Sequence, residues 1–583
     1  MFAGQTYHPE VSFDLSGQAN GKQPYWAWDY RDFAPRFAFA YSPGAESGIM
    51  RKIFGGPGKS SIRGGYGIYY DHFGQGITNT FDRQGSFGLT TSLTNSAGIQ
   101  DVDTVPRFTG LSAIPAALVQ APPIGGFPAT PPAANFAITW GLDDKLKTPY
   151  SHVFNFSISR ELPAGFVFEA AYVGRLGRRL LQEEDLAMPL DIFDPKSGMD
   201  YFKAATLLTK AAQAGTPINQ LAPIPYWENL FPAAAGQLGF GPPGKTANLG
   251  CANGNNVHAT NYTATQAMYD MYSCFSFNET SALFFADLLC EPACSQLPGQ
   301  TSPQANNFFD DQWSSLYAWR SIGNSSYHAG QFSLRHPASH GFAFDFNYTY
   351  SKSIDMGSNA ERINEFEGFG LGSQIINSWQ PNALRAVSDF DTTHQINANW
   401  VYDLPVGSGK HFGGGMHGAL NAVVGGWQLS GLGRWTSGYP FGVGPGLGFW
   451  GTNWQLTSSA FQTAPVHTGT FRDAQGNPNV FSNFSNAVND FRFAFPGESG
   501  QRNELRGPGF FQIDAGLGKS WKVTESQQIQ FRWEAFNVFN NVRFDVAAST
   551  ANNLSLANST NFGKFTQTLS QPRVMQFSLR YSF

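Results

Sequence analysis

The residues best able to do chemistry in this 583-residue chain are four cysteines, two clusters of carboxylates and two glycine-lysine turns. Cys251, Cys274, Cys290 and Cys294 fall in one stretch, with His258 among them. A tetrahedral zinc site would draw its thiolates from paired C-x2-C elements, and that spacing is absent. Disulfides formed in an oxidising medium fit better; of the three possible connectivities, Cys251 with Cys274 and Cys290 with Cys294 is preferred. Glu183-Glu184-Asp185 and the pair Asp389 and Asp391 could bind Ca²⁺ or exchange protons. Neither group sits in a D-x-D-x-D-G loop, so both are expected to be solvated loop charge. Gly58-Lys59-Ser60 has Ile53, and Gly409-Lys410-His411 has Leu404, where a phosphate loop needs its first glycine, so both read as turns. The histidines are scattered, with neither an H-E-x-x-H element nor a serine or cysteine elbow. The chain is therefore expected to be no enzyme and to carry no catalytic residue, metal or cofactor.

The elements that position these residues must be built from an unusual composition. There are 64 Gly and 53 Phe, but only 14% of residues are charged, against roughly 25% in an ordinary soluble domain. Mean hydropathy is -0.26, and the apolar runs are too short for helical membrane spans of about 20 residues. Strands can place large aromatic area on one side and small polar groups on the other, because successive side chains alternate. A net charge of -5 provides no basic stripe for phosphates, which argues against a nucleic-acid partner. The opening residues, Met1 to Tyr7, lack the basic and apolar regions of an export signal. Either the chain stays inside the cell or it is the downstream part of something longer.

Period-two alternation is clearest at the C-terminus, where Met575, Phe577, Leu579, Tyr581 and Phe583 alternate with Val574, Gln576, Ser578, Arg580 and Ser582. Ile529, Phe531, Trp533 and Ala535 oppose Gln528, Gln530, Arg532 and Glu534 in the same way. Phe342, Phe344, Phe346, Tyr348 and Tyr350 oppose Ala343, Asp345, Asn347, Thr349 and Ser351, and Gln395 to Leu404 repeats the pattern around Trp400. Arg36 to Ser42, Ser61 to Tyr70, His152 to Arg160, Gly165 to Gly174, His328 to Arg335, Trp427 to Ser437 and Phe511 to Lys519 complete eleven strands, with more glycine. Val11 to Ser16 is a candidate twelfth. No charged residue interrupts the central apolar faces, where a lipid-facing Arg or Lys would cost ~2–4 kcal/mol. Short and long connections alternate, the longest spanning residues 175–327, within which helices are predicted over Tyr201 to Ala214 and Ser281 to Leu289. The expected fold is an all-β transmembrane antiparallel barrel of about 11–12 strands, with long extracellular loops carrying short helices. A secreted propeller or sandwich would also alternate, but would favour Val, Ile and Leu in its core over these aromatics.

The landmarks also resemble a family, the Oar-like β-barrel of TonB-dependent outer-membrane transporters that carry a carboxypeptidase-regulatory-like domain. They include Phe33-Ala34-Pro35-Arg36-Phe37, Ile62-Arg63-Gly64-Gly65-Tyr66-Gly67, Glu169-Ala170-Ala171-Tyr172-Val173-Gly174 and Tyr350-Ser351-Lys352-Ser353-Ile354-Asp355. Ser388-Asp389-Phe390-Asp391, Gly425-Gly426-Trp427, Gly507-Pro508-Gly509 and Glu534-Ala535-Phe536-Asn537 follow, and the terminal strand ends in Phe583. The resemblance implies a 22-stranded barrel with an N-terminal plug, a TonB-contacting segment, a small β-sandwich and a signal peptide. None of those N-terminal parts is recognisable, so residues 1–583 are expected to form the C-terminal half of such a barrel. The implied partners are the outer-membrane bilayer, the barrel-assembly machinery, an unidentified cargo, and the TonB complex only through the missing parts. A surface adhesin or structural module displaying the disulfide-containing loop is the alternative, and a soluble all-β carbohydrate-binding protein a weaker one. Phe577, Leu579, Tyr581 and Phe583 resemble the terminal signal read by the assembly machinery. Deleting Phe583 is expected to lower the amount of protein in the outer-membrane fraction, and unchanged insertion would remove that role.

Overall fold

A computed structural model describes residues 10–24, 29–44, 46–71, 121, 123–132, 137–235, 262–274, 279–290, 308–358, 374–445, 458–546 and 553–583. Eleven long strands form one antiparallel meander: β1 (Arg36–Tyr41), β2 (Ser60–Tyr70), β3 (Tyr150–Glu161), β4 (Val167–Asp185), β5 (Trp313–Ser339), β6 (Phe342–Asp355), β7 (His394–Asp403), β8 (Trp427–Thr436), β9 (Phe510–Lys522), β10 (Gln528–Phe536) and β11 (Val574–Ser582). Sheet order equals chain order. Among the described residues, six helices lie in the connections: α1 (Gly48–Phe54), α2 (Tyr201–Gln213), α3 (Pro225–Leu230), α4 (Ala264–Cys274), α5 (Glu279–Cys290) and α6 (Gly418–Val424). Among the described residues, no helix is long and apolar enough to cross a membrane.

Register makes the alternation a property of the whole sheet. Phe342 lies opposite Tyr402, Phe344 opposite Trp400, Phe346 opposite Ala398, Tyr348 opposite Ile396 and Tyr350 opposite His394. Ile529, Phe531 and Trp533 lie opposite Tyr581, Leu579 and Phe577. Because directly opposed residues share a face, these side chains join one apolar surface, on which Phe342, Phe344 and Phe346 stack at 6.0 and 6.4 Å. The other face pairs Asp345 with Asn399 and Asn347 with Asn397, and Glu534 with Gln576. Nothing in the described chain packs over much of the apolar face: Phe37 is 67% exposed, Phe577 69% and Leu579 73%.

β1 and β11 each pair on one side only among the described residues, and every residue in both is exposed. Ten successive antiparallel pairings leave these two strands running in the same direction. Val11 to Ser16 does not supply a twelfth strand. Its backbone is taken elsewhere: Phe13 and Ala129 exchange N–H···O bonds of 2.8 Å, and Val11 N–H donates to Gln312 Oε1 at 2.7 Å. β4 and β5 also outrun the expected boundaries. They stay paired from Val167 opposite Arg335 up to Asp185 opposite Tyr317, so the connection expected over 175–327 contracts to 186–312. Twenty-seven residues in β5 reach roughly 80–90 Å at about 3.3 Å each, well past an apolar band of ~25 Å.

Several strand glycines are seats for aromatic rings on the apolar face. A Cβ on Gly431 would lie 2.3 Å from the Trp400 indole, and one on Gly174 2.1 Å from the Phe154 ring. Gly433, two residues along the same face, has nothing closer than 3.6 Å. Gly431→Val is therefore expected to displace Trp400 and destabilise the sheet by about 1–3 kcal/mol, the usual range for overpacking, while Gly433→Val is tolerated. Urea unfolding of detergent-refolded protein, followed by tryptophan fluorescence, reads the difference.

Candidate functional site, a cap of folded loops

The long connections all leave the same end of the sheet, and there their described residues fold into a cap. Alternation stops where β4 and β5 rise beyond the sheet rim. Leu181, Gln182, Glu183, Glu184 and Asp185 are all buried, as are Leu316 to Trp319 opposite them. The ribbon is covered because Gln374–Ile375 pairs parallel to Glu183 and Glu184, and Ala137–Leu142 pairs parallel to β5. The acidic triplet expected to be solvated loop charge is therefore interior. Each carboxylate is matched: Gln374 Nε2 donates to Glu183 at 2.9 Å, Arg320 bonds Glu184, and the Ala187 and Leu316 N–H groups donate to Asp185 Oδ1 at 2.9 and 2.8 Å. Arg320 also donates to Asp143 at 2.9 Å. Burial pushes the Glu184 carboxyl above its ordinary range despite Arg320. At Asp143 burial acts in the same direction, but the Arg320 bond and the Lys145 N–H outweigh it and hold the carboxyl below that range.

Asp391 is corrected in the same way, and Asp389, though part-exposed, is ion-paired to Arg502. Arg502 bonds Asp355 and donates to Asp389 at 3.1 Å, while Arg506 bonds both the carboxylate and the backbone carbonyl of Asp391. Asp391 is 2% exposed and also accepts from Ser353 N–H at 2.6 Å. The planar guanidinium fork suits such paired acceptors, and here it ties the connection over 356–393 to the one over 437–509. Sequence reasoning missed Arg320, Arg502 and Arg506. The only local signal was the four-residue spacing of the last two, which does not name their distant partners.

The two largest hydrophobic cores among the described residues sit in this cap. One gathers α2 to α5 around Tyr201, Tyr226, Trp227, Tyr272 and Phe308. Asp200 caps α2 through Lys203 N–H at 2.8 Å, and the buried Tyr201 hydroxyl bonds Glu279 and Tyr272. The other packs Phe441, Phe481, Leu554 and Phe562, with Phe481 and Phe562 stacked at 5.2 Å. Residues 377–379 tie the cap together: Asn377 Nδ2 donates to the Gly497 carbonyl, Ser378 Oγ to the Asp185 carbonyl at 2.7 Å, and Trp379 Nε1 to the Pro189 carbonyl at 3.2 Å. Cys274 and Cys290 close α4 and α5 in the backbone. Cys251 and Cys294, and with them the proposed pairings, lie outside the described residues. Among the described residues, no group of three or more His, Cys, Asp or Glu is placed to hold a metal.

Asp191, at the base of the helical unit, has its carboxyl pushed up to about 6, first by burial and then by the charge of Asp200, against a bond from Phe202 N–H. The folded unit therefore holds a proton that the unfolded chain releases near pH 4. That contribution is present below about pH 4 and lost as pH rises through about 6. Amide exchange of α2 should show a loss of about 2–3 kcal/mol across this window, and Asp191→Asn should remove that dependence while keeping the Oδ1 acceptor for Phe202.

Among curated proteins, none matches the chain. Solved structures similar to it include the outer membrane transporter YddB from Escherichia coli, at 9% identity and TM-score 0.33, covering 90% of this chain and 38% of that one. A mutant of the ferric enterobactin receptor PfeA from Pseudomonas aeruginosa is similar at 8% identity and TM-score 0.31, covering 94% and 40%. The siderophore receptor PirA from Acinetobacter baumannii gives 8% and 0.29, covering 90% and 39%. The chain thus spans about two fifths of the length of these receptors. The family described as "Outer membrane beta barrel domain" matches residues 2–237 and 252–576. With that match over nearly the whole meander, its polar and apolar faces and its capped end, the chain belongs to the outer membrane beta barrel domain family and resides in the outer membrane.

Proposed function

We propose that this chain forms the C-terminal half of the wall of a TonB-dependent outer-membrane transporter or receptor of the Oar-like kind, a binding and transport protein and not an enzyme. The observation that carries the reading is the two-faced meander whose first and last strands are each paired on one side only among the described residues. One continuous face is apolar and uncovered, the opposite face carries amide, hydroxyl and charged groups suited to a wet lumen, and folded loops roof the long-loop end. Phe342, Phe344, Phe346, Tyr348, Tyr350, Ile529, Phe531 and Trp533 take the role of lipid-facing side chains. Phe577, Leu579, Tyr581 and Phe583 take that of the signal for the assembly machinery. The cap is where an external solute or macromolecule would first meet the protein. Coupling to TonB belongs to segments beyond this sheet.

Unpaired strand edges in hydrocarbon leave several kcal/mol per polar group uncompensated. Since β1 and β11 run in the same direction, antiparallel closure needs an odd number of further strands, and eleven would give the 22 that the family resemblance implies. Refolded alone into liposomes, the chain is expected to show neither steady conductance nor heat-modifiable gel mobility. Either one would mean that the eleven strands close unaided, and the half-barrel reading would fail. The second reading, a surface adhesin or display module, is favoured by the cap having hydrophobic cores of its own.

A further inference from the structure

We infer that α1 and α6, the helices of the two longest short-end connections, are interfacial anchors that lie in the phospholipid headgroup layer and insert apolar side chains among the acyl chains. α1 presents Ile49, Met50 and Ile53 at 75%, 53% and 51% exposure, and α6 presents Leu420 and Val423 at 57% and 66%. Such surfaces on seven-residue helices gain nothing from water.

The attachment of α6 identifies its medium. Trp427 Nε1 donates to the Val423 carbonyl at 2.8 Å, and Trp521 Nε1 to the Ala422 carbonyl at 2.7 Å. Lys519 Nζ reaches the Gly425 carbonyl and lies 5.4 Å from both indole rings. Trp427 and Lys519 are register partners, and Trp521 follows Lys519 on the same side. All three therefore stand on the sheet's apolar face, and they use their polar atoms to satisfy the helix end that would otherwise expose carbonyls to hydrocarbon. The helix is thus fastened to the membrane-facing surface at its rim, where amphipathic Trp and Lys side chains are favoured. α1 occupies the corresponding connection between β1 and β2, fixed by Arg160 and Ser60 bonding the carbonyls of Ile53 and Phe54.

Charge fits the same occupant. Arg51 and Lys52 are exposed on α1. Residues 404–426 contain Lys410, His411 and His417 but no carboxylate. This composition complements phospholipid phosphates.

The test places a benzophenone amino acid at Leu420 or Ile49 of the full chain in cells, with Asn399, on the polar face, as the control position. After illumination of outer membranes, intact-protein mass is expected to show a phospholipid adduct at Leu420 and Ile49 and none at Asn399. Adducts to a protein at the two helix positions, or the same lipid yield at Asn399, overturn the inference, as does no adduct at all. Leu420→Asp with Val423→Asp should reduce the adduct from a probe at Met416 at least several-fold while leaving that from Ile49 unchanged. An unchanged Met416 adduct would equally overturn it.

Discussion

A sheet whose aromatic face has no covering layer in its own chain must find that layer in its surroundings, and the rest of the protein follows from this. In a water-soluble fold, Phe577 and Leu579 would be packed under a second sheet or a helix layer. Here they are among the most exposed of the described side chains, and in the lipid-facing role proposed for this face hydrocarbon would supply the missing layer. The backbone is then constrained too, because strands in lipid must exchange all their hydrogen bonds with neighbours. Among the described residues, long in-register pairings meet this demand everywhere except at the outer edges of β1 and β11.

With the sheet contributing almost no interior, the buried side chains collect in the connections. Tyr201, Trp227 and Phe481 lie in cores that belong to loops, and Arg502 and Arg506 bind loops to one another through Asp355, Asp389 and Asp391. Of these pairs Arg502–Asp355 is largely buried on both sides, and breaking a buried ion pair typically costs about 3–5 kcal/mol, so the cap is more than a fringe of independent loops.

The membrane portion was legible in the sequence because its rule is local. Gln528 to Phe536 coincides with β10, and Trp427 to Ser437 exceeds β8 by one residue. Legibility failed where a strand ceases to have two unlike faces. Leu181 to Asp185 is covered on both sides, so alternation vanishes though pairing continues, and three acids in a row look like solvated charge. The guanidinium that neutralises Glu184 is 136 residues away, and Arg506 meets Asp391 across 115. Val11 to Ser16 failed in the opposite sense: it alternates, but Ala129 and Gln312 claim its backbone.

The common direction of β1 and β11 also bears on how such a wall could have arisen. Strand direction acts as a polarity label on each edge. A second copy in the same membrane orientation would offer the wrong polarity at both seams. Tandem duplication of this unit would reach an even strand count, but the second half could keep the orientation of the first only if the joining segment crossed the bilayer. If the chain is half of a closed wall, as proposed above, the other half must begin and end on strands that run opposite to β1 and β11, so the two halves face the membrane with inverted strand polarity.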